Sequence, residues 1–266
     1  MNIKVSQLLM LSFLALPLIN PQQSNAQSCQ DVGAAAQADC EAKNVKNTWH
    51  KGIFAGFNLT QGNSENVLLN AGGSAYADFG DDIYRVDGLF TYGENTDIDT
   101  DIETETQNNV RLDGSWKHLI DDRWYYGAGA NFLHDDIADV NYRVIVKPAL
   151  GYFWLKEEDK TLSVEAGPGV VFEDVGGIDE IFFAPFIGDR FDWIISDNAK
   201  LYQLAEVIFD TSSFANKLIT AEVGIEAAIS NDLSLVVSVR NIHDTRPAEG
   251  RDENDLSIIS SLKMAL

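Results

Sequence analysis

Charged side chains recur at alternate positions through much of this chain, and their types define the chemistry open to it. Arg85, Asp87, Arg111, Asp113, Lys117, Arg143, Lys147, Glu165, Arg190, Asp192, Glu222, Glu226, Arg240 and Lys263 all fall on the polar phase of a two-residue alternation. Both signs are present. Such a set can neutralise itself, or it can line a path for small ions or solutes, as charged rings do in channels. A turn centred near residue 99 sets Asp87 opposite Arg111 and Arg85 opposite Asp113; a turn near Asn231 sets Glu222 opposite Arg240. Opposed unlike charges stabilise a strand pair by about 0.2–1 kcal/mol each.

Other chemistry is poorly served. Between Glu94 and Glu105 carboxylates stand at every second position from Asp97, which suggests weak divalent binding or a solvated acidic loop. A calcium loop fails there, because Ile102 stands where the sharp turn needs Gly and Asn108 where it needs a bidentate Glu. The four histidines, His50, His118, His134 and His243, have no Ser two residues on. There is no G-x-S-x-G elbow and no His-Glu-x-x-His. His134-Asp135-Asp136 is the best remaining acid–base cluster, and a solvated loop explains it as well as catalysis does. The expectation is therefore no catalytic residue, no metal and no cofactor.

The elements that position these residues are strands. Ile219, Ala221, Val223, Ile225, Ala227 and Ile229 alternate with Thr220, Glu222, Gly224, Glu226 and Ala228, and in a strand the two sets point to opposite faces. About twelve such stretches follow Trp49, roughly 48–61, 65–79, 83–93, 106–119, 123–133, 140–154, 161–173, 180–195, 199–209, 217–229, 233–243 and 255–266. Short turns follow the even-numbered stretches. Longer polar loops follow most odd-numbered ones: Glu94–Glu105, His134–Asp139, Asp174–Asp179, Asp210–Asn216 and Asp244–Asn254. That asymmetry is the signature of an all-β, antiparallel, up-and-down transmembrane β-barrel. Trp49, Trp116, Trp124, Trp154 and Trp193 all fall at the short-turn ends, where amphipathic rings gather at a membrane interface. Asp189 breaks the pattern, sitting on the lipid-facing phase between Ile187 and Phe191; a bulge near Gly188 or a shifted boundary would explain it. The stretch 199–209 has apolar residues in both phases.

Composition narrows the field. Forty-one acids against nineteen bases give a formal charge of −22, which argues against nucleic acid as a partner. Runs of about 20 apolar residues, needed for a helical membrane bundle, do not recur.

At the N-terminus Lys4 precedes an apolar run, Leu8–Ile19, and Ser24-Asn25-Ala26. Residues 1–26 read as a secretory signal peptide, with a buried apolar helix as the alternative. Cys29 and Cys40 then lie in a polar periplasmic segment, 27–47, where an oxidising compartment favours one disulfide over a two-thiol metal site. Residues 48–266 form the barrel domain.

Several motifs resemble a known family: Leu59-Thr60-Gln61-Gly62-Asn63-Ser64, Arg123-Trp124-Tyr125, Ala149-Leu150-Gly151-Tyr152, Glu165-Ala166-Gly167-Pro168-Gly169, Ser196-Asp197-Asn198 and Thr245-Arg246-Pro247. In that order they are similar to the salt-induced outer-membrane protein family, also called domain of unknown function 481, over roughly residues 48–266. The resemblance implies an outer-membrane barrel with no settled activity, with outer-membrane lipids and the barrel-assembly machinery as partners. Such barrels usually end in an aromatic residue; this chain ends in Leu266. The functional expectation is a narrow pore or a structural component of the stressed envelope. A secreted soluble barrel that binds an apolar ligand and a barrel hydrolase are the alternatives.

Overall fold

A computed structural model describes residues 48–60, 64–97, 100 and 102–266. The expected signal peptide, residues 1–26, and the expected Cys29–Cys40 disulfide lie outside the described residues. The strands are β1 (Trp49–Thr60), β2 (Ser64–Asp78), β3 (Asp82–Asp97), β4 (Ile102–Leu119), β5 (Trp124–Asp135) and β6 (Val140–Lys156). They continue as β7a (Lys160–Gly167), β7b (Val170–Val175), β8a (Ile178–Phe183), β8b (Phe186–Ser196), β9 (Ala199–Phe209), β10 (Lys217–Ala228), β11 (Leu233–Asp244) and β12 (Asn254–Ala265). Fourteen hydrogen-bonded segments thus make twelve strands, because β7 and β8 are each interrupted once. The interruptions fall at Pro168-Gly169 and Ala184-Pro185, since proline has no N–H to give a ladder. The Ala184 N–H still reaches the Gly169 carbonyl at 2.7 Å, which holds the two breaks together.

Every pairing is antiparallel, and the sheet closes on itself through β5–β6 and β1–β12. The β1–β12 ladder is short, running from Gly52 opposite Ala265 to Ala55 opposite Leu262. The result is a closed twelve-stranded antiparallel barrel.

Burial is inverted relative to a soluble protein. Phe57, Leu112, Leu150, Ile187 and Ile258 are exposed on the outer face, whereas Arg143, Lys147 and Glu173 are buried inside. An apolar exterior over a charged interior suits a lipid surround. No helix among the described residues is long and apolar enough to cross a membrane.

Two expectations about loops need correction. The acidic segment Glu94–Glu105 is mostly strand: β3 and β4 stay paired up to Asp97 opposite Ile102. The turn after β7b is no longer loop either. It is the two-residue connection Gly176-Gly177, with φ of 60° and 76°, the left-handed pair that a tight hairpin favours. At the opposite end Asp121 shapes the β4–β5 turn, its carboxylate accepting the N–H groups of Arg123 and Trp124 at 2.7 Å each. Those two donors hold the Asp121 carboxyl below the usual range.

Candidate functional site: the charged lumen

The barrel interior is lined from both walls. On β3 and β4 the inward phase carries Arg85, Asp87, Arg111, Asp113 and Lys117; across the lumen, β8b, β10 and β11 carry Arg190, Asp192, Glu222, Glu226 and Arg240. Glu165 on β7a, Arg143 and Lys147 on β6 and Lys263 on β12 complete the inward set.

The structure brings most of these groups into pairs. Glu222 stands opposite Arg240, and the guanidinium donates to the carboxylate at 3.1 Å. Lys117 and the Tyr125 hydroxyl both donate to Glu165 at 2.9 Å. Lys263 reaches Glu226 at 2.9 Å and Arg190 reaches Asp192 at 2.7 Å. Arg143 joins Glu173 and Asp244 at 2.5 and 2.7 Å.

The β3–β4 pairs differ from expectation. Asp87 faces Asp113, Leu89 faces Arg111, and Arg85 faces Ser115. Two one-residue effects add. The turn lies between Asp97 and Ile102, half a residue beyond 99, and Thr106 bulges out where the register shifts between Gly93 and Glu94. A shift of two keeps every side chain on its face, because the side-chain period is two. The charges therefore stay inward but change partners. Arg111 turns to Asp113 on its own strand at 3.3 Å, and Asp113 also accepts from Asn131. Arg85 lies over the Tyr76 ring, 5.5 Å from its centroid, with no carboxylate within salt-bridge distance among the described residues. Asp87 likewise makes no side-chain hydrogen bond or salt bridge there, and its first electrostatic partner is Arg85, two residues along the same strand. Asp87 lies within electrostatic reach of Arg190 and Glu222 on the far wall, as Arg111 does of Glu222 and Arg240.

Inward glycines shape the wall. Gly72 faces Phe54, Gly151 faces Tyr125 and Gly224 faces Tyr202. A Cβ at any of the three would come within 2.1–2.4 Å of the facing ring, closer than real carbon contacts allow. The rings therefore lie flat on the glycines, and the tyrosine hydroxyls end on Glu165 and Glu222.

The β6–β9 wall is filled differently. Ile145, Val171, Ala184, Phe186 and Ile208 form a dry inner cluster. Lys147 and Glu206 pair beside it at 2.5 Å, and the Lys147 ammonium lies 5.3 Å from the Phe186 ring. Near the β7–β8 hairpin, Arg246 donates to Glu173 at 3.1 Å and to Glu180. The loop after β11 is thereby tied to a hairpin three strands away. Sequence reading missed Glu173, Glu180, Glu206, Asp244 and Arg246 as site residues. The inward phase of 161–173 pointed to Glu173, and Arg246 sits in the Thr245-Arg246-Pro247 motif; Glu206 was hidden by the mixed pattern of β9.

The tryptophans stand at the turn end of the barrel, facing outward. Trp154 is 65% exposed, Trp124 packs against Tyr152 at 4.9 Å, and Trp116 donates to Asp82 at 2.8 Å. Trp49 clusters with Phe79 and Tyr84, each at 6.1 Å, and Trp193 sits 5.3 Å from the Lys160 ammonium. His134, by contrast, is occupied by Asn141 and Asp136, and Asp135 accepts the turn N–H groups of Ile137 and Ala138. These groups build a turn.

Similar solved structures include the NanC porin, with 10% identity over 82% of this chain and 97% of that one at TM-score 0.45. An outer membrane channel from Pseudomonas putida F1 matches at 9% identity, 83% and 96% coverage and TM-score 0.46. The translocator domain of the autotransporter NalP from Neisseria meningitidis matches at 15%, 87% and 96%, with TM-score 0.40. These likenesses say nothing of a solute or activity. No curated protein matches the chain. A family model does match residues 53–265, and the chain therefore belongs to the family described as protein of unknown function, DUF481.

Proposed function

We propose that this barrel is a narrow pore of the outer membrane, with its lipids as surround, and that its mid-lumen belt selects small charged solutes. The observation that carries this reading is the pair Arg85 and Asp87, which lie within electrostatic reach of each other but form no salt bridge, in a lumen whose other charges are mostly bridged. Both project where the far wall is within electrostatic reach. An ion crossing there would exchange water for these two groups, which no salt bridge occupies, and that is how a charged ring discriminates. The barrel-assembly machinery is the expected route of insertion.

A second reading has its own support. The bridged lumen and the dry β6–β9 cluster suit a structural barrel that spans the envelope without conducting. Single-channel recording of the chain inserted in a planar bilayer separates the two. Discrete steps are expected, with the reversal potential in a salt gradient moving in opposite directions for Arg85→Gln and Asp87→Asn. Silence from protein whose insertion is verified independently would remove the pore and leave the structural barrel.

A further inference from the structure

One salt bridge in the lumen runs across it rather than along its wall. Arg143 is inward on β6, and Asp244 is the last inward residue of β11. Five strand steps separate them round the closed wall, nearly half the circumference. The Arg143 guanidinium nevertheless donates to Asp244 at 2.7 Å, and to Glu173 on the neighbouring β7b at 2.5 Å. At about 4.8 Å per strand and a tilt near 40°, a circular twelve-stranded wall would hold β6 and β11 about 23 Å apart. An arginine and an aspartate together cannot span that distance. The two walls are therefore drawn together at the loop end, and the bridge closes the gap between them.

One side of that bridge is shut. Ile145, Val171, Phe186 and Ile208 fill the space between β6 and β9. Above them the Thr211 N–H, in the β9–β10 connection, donates to the Phe183 carbonyl at 3.2 Å. Ala248, in the loop after β11, is buried, and its side chain lies 3.4 Å from where Gly176 would carry a Cβ. Arg246 fastens the same loop to Glu173 at 3.1 Å and lies 5.7 Å from the Phe182 ring. The cavity left among Arg143, Glu173, Phe182 and Asp244 is about 30 Å³, room for one or two waters. On the other side of the bridge the loop end carries Asn109, Asp135 and Asp255 on the inward phase of β4, β5 and β12. Among the described residues these three make no salt bridge across the bore, and Asp135 accepts only from its own turn.

We infer that Arg143 and Asp244 form a clasp that shuts the β6–β11 side of the outer bore and confines passing solutes to the side lined by β12 and β1–β5. The clasp thereby sets the largest solute that can enter. The size limit rests on the reading of the barrel as a pore; the shut side does not. Local bonds make the clasp one unit with the loop above it. Asp244 also accepts the Arg246 N–H at 2.9 Å, at the root of the loop after β11. Glu173 takes both arginines, so Arg143 is held from its own wall as well as from the far one. Both clasp side chains are mostly buried, and a charge-assisted hydrogen bond is roughly twice as strong as a neutral one. Removing the Asp244 charge therefore loosens the guanidinium and the loop root together.

The test uses the full chain inserted in bilayers. Asp244→Asn and Arg143→Gln should each raise single-channel conductance about twofold and admit larger neutral polyethylene glycols. Val171→Cys, which lines the cavity beneath the clasp, reports the shut side in vesicles whether or not the barrel conducts. With the clasp intact a charged thiol reagent should modify it slowly. Adding Asp244→Asn should speed that reaction about tenfold, because a lost charge-assisted bond eases local opening. Mass spectrometry of the labelled peptide separates this signal from Cys29 and Cys40, and retention of the unboiled mobility shift reports that each variant is folded. An unchanged polymer limit in both conducting variants would overturn the inference, as would equally fast labelling of Val171→Cys with and without Asp244→Asn. Silence from inserted wild type would remove the pore reading instead, and the labelling rates would still decide the clasp.

Discussion

The β10–β11 and β3–β4 hairpins carry the same kind of charge pattern and resolve it in opposite ways. In β10–β11 the turn passes through Asn231 with no bulge, and Glu222 meets Arg240 across the ladder. In β3–β4 a displaced turn and the Thr106 bulge slide the partners by two, so that Asp87 meets Asp113. The charges of the second hairpin then regroup along one strand, as Arg111 does with Asp113. Inward placement is a property of phase and survives a two-residue slip. Partnership is a property of register and does not.

The largest expected effect is at the matched pair. Both side chains of Glu222 and Arg240 are less than one-seventh exposed, so Glu222→Leu strands a buried guanidinium. Urea unfolding in vesicles should show a loss of about 3 kcal/mol, with the exchanged pair Glu222→Arg and Arg240→Glu recovering most of it. A double-mutant cycle on Asp87 and Arg111 should, in contrast, give a coupling of roughly a few tenths of a kcal/mol, because those residues lie diagonally across the ladder, within electrostatic reach but without a bridge. Under the register first expected it would be about 1 kcal/mol. Cysteines sharpen the point: Leu89→Cys with Arg111→Cys should oxidise much faster than Asp87→Cys with Arg111→Cys. Equal rates would mean that the bulge does not persist in the membrane.

The smallest effect is at the β4–β5 turn, which connects the shifted hairpin to its neighbour. The Asp121 carboxyl is held below its unfolded value by the Trp124 and Arg123 N–H groups. A depressed carboxyl stabilises above the unfolded pKa, and its contribution disappears as pH falls through the folded one. Turn stability should therefore weaken below about pH 4, and Asp121→Ala should remove that acid dependence. Amide exchange at Trp124 is the measurement; an acid limb unchanged in the variant would reject the turn as its source.

Much of the fold was legible because a barrel strand repeats one rule for its whole length. The alternation through 217–229 and 161–173 assigned faces correctly, including Glu173, which was on the page but not singled out. Asp189 was equally legible as an exception, and the structure keeps it as one. What remained hidden was of two kinds. Gly176-Gly177 between two apolar stretches is a hairpin signal, yet the acids around it read as loop. The Arg143, Glu173, Asp244 and Arg246 cluster is long-range, with Arg246 and Glu173 separated by 73 positions and Arg143 and Asp244 by 101. No local period can report contacts across a closed cylinder.

The glycines under the flattened rings have a consequence for how such a barrel changes over time. At Gly224 a single methyl group would meet Tyr202 head-on, and the ring could yield only by swinging off the wall. It would take its hydroxyl away from Glu222 and become a shutter across the lumen. At Gly151 the obstacle is likewise the Tyr125 ring, whose hydroxyl would leave Glu165, whereas at Gly72 the Gly88 carbonyl oxygen stands closer than the Phe54 ring, so moving that ring alone makes no room. The bore can thus be narrowed on two walls, at Tyr125 and at Tyr202, by the smallest possible substitution, with every charged residue kept.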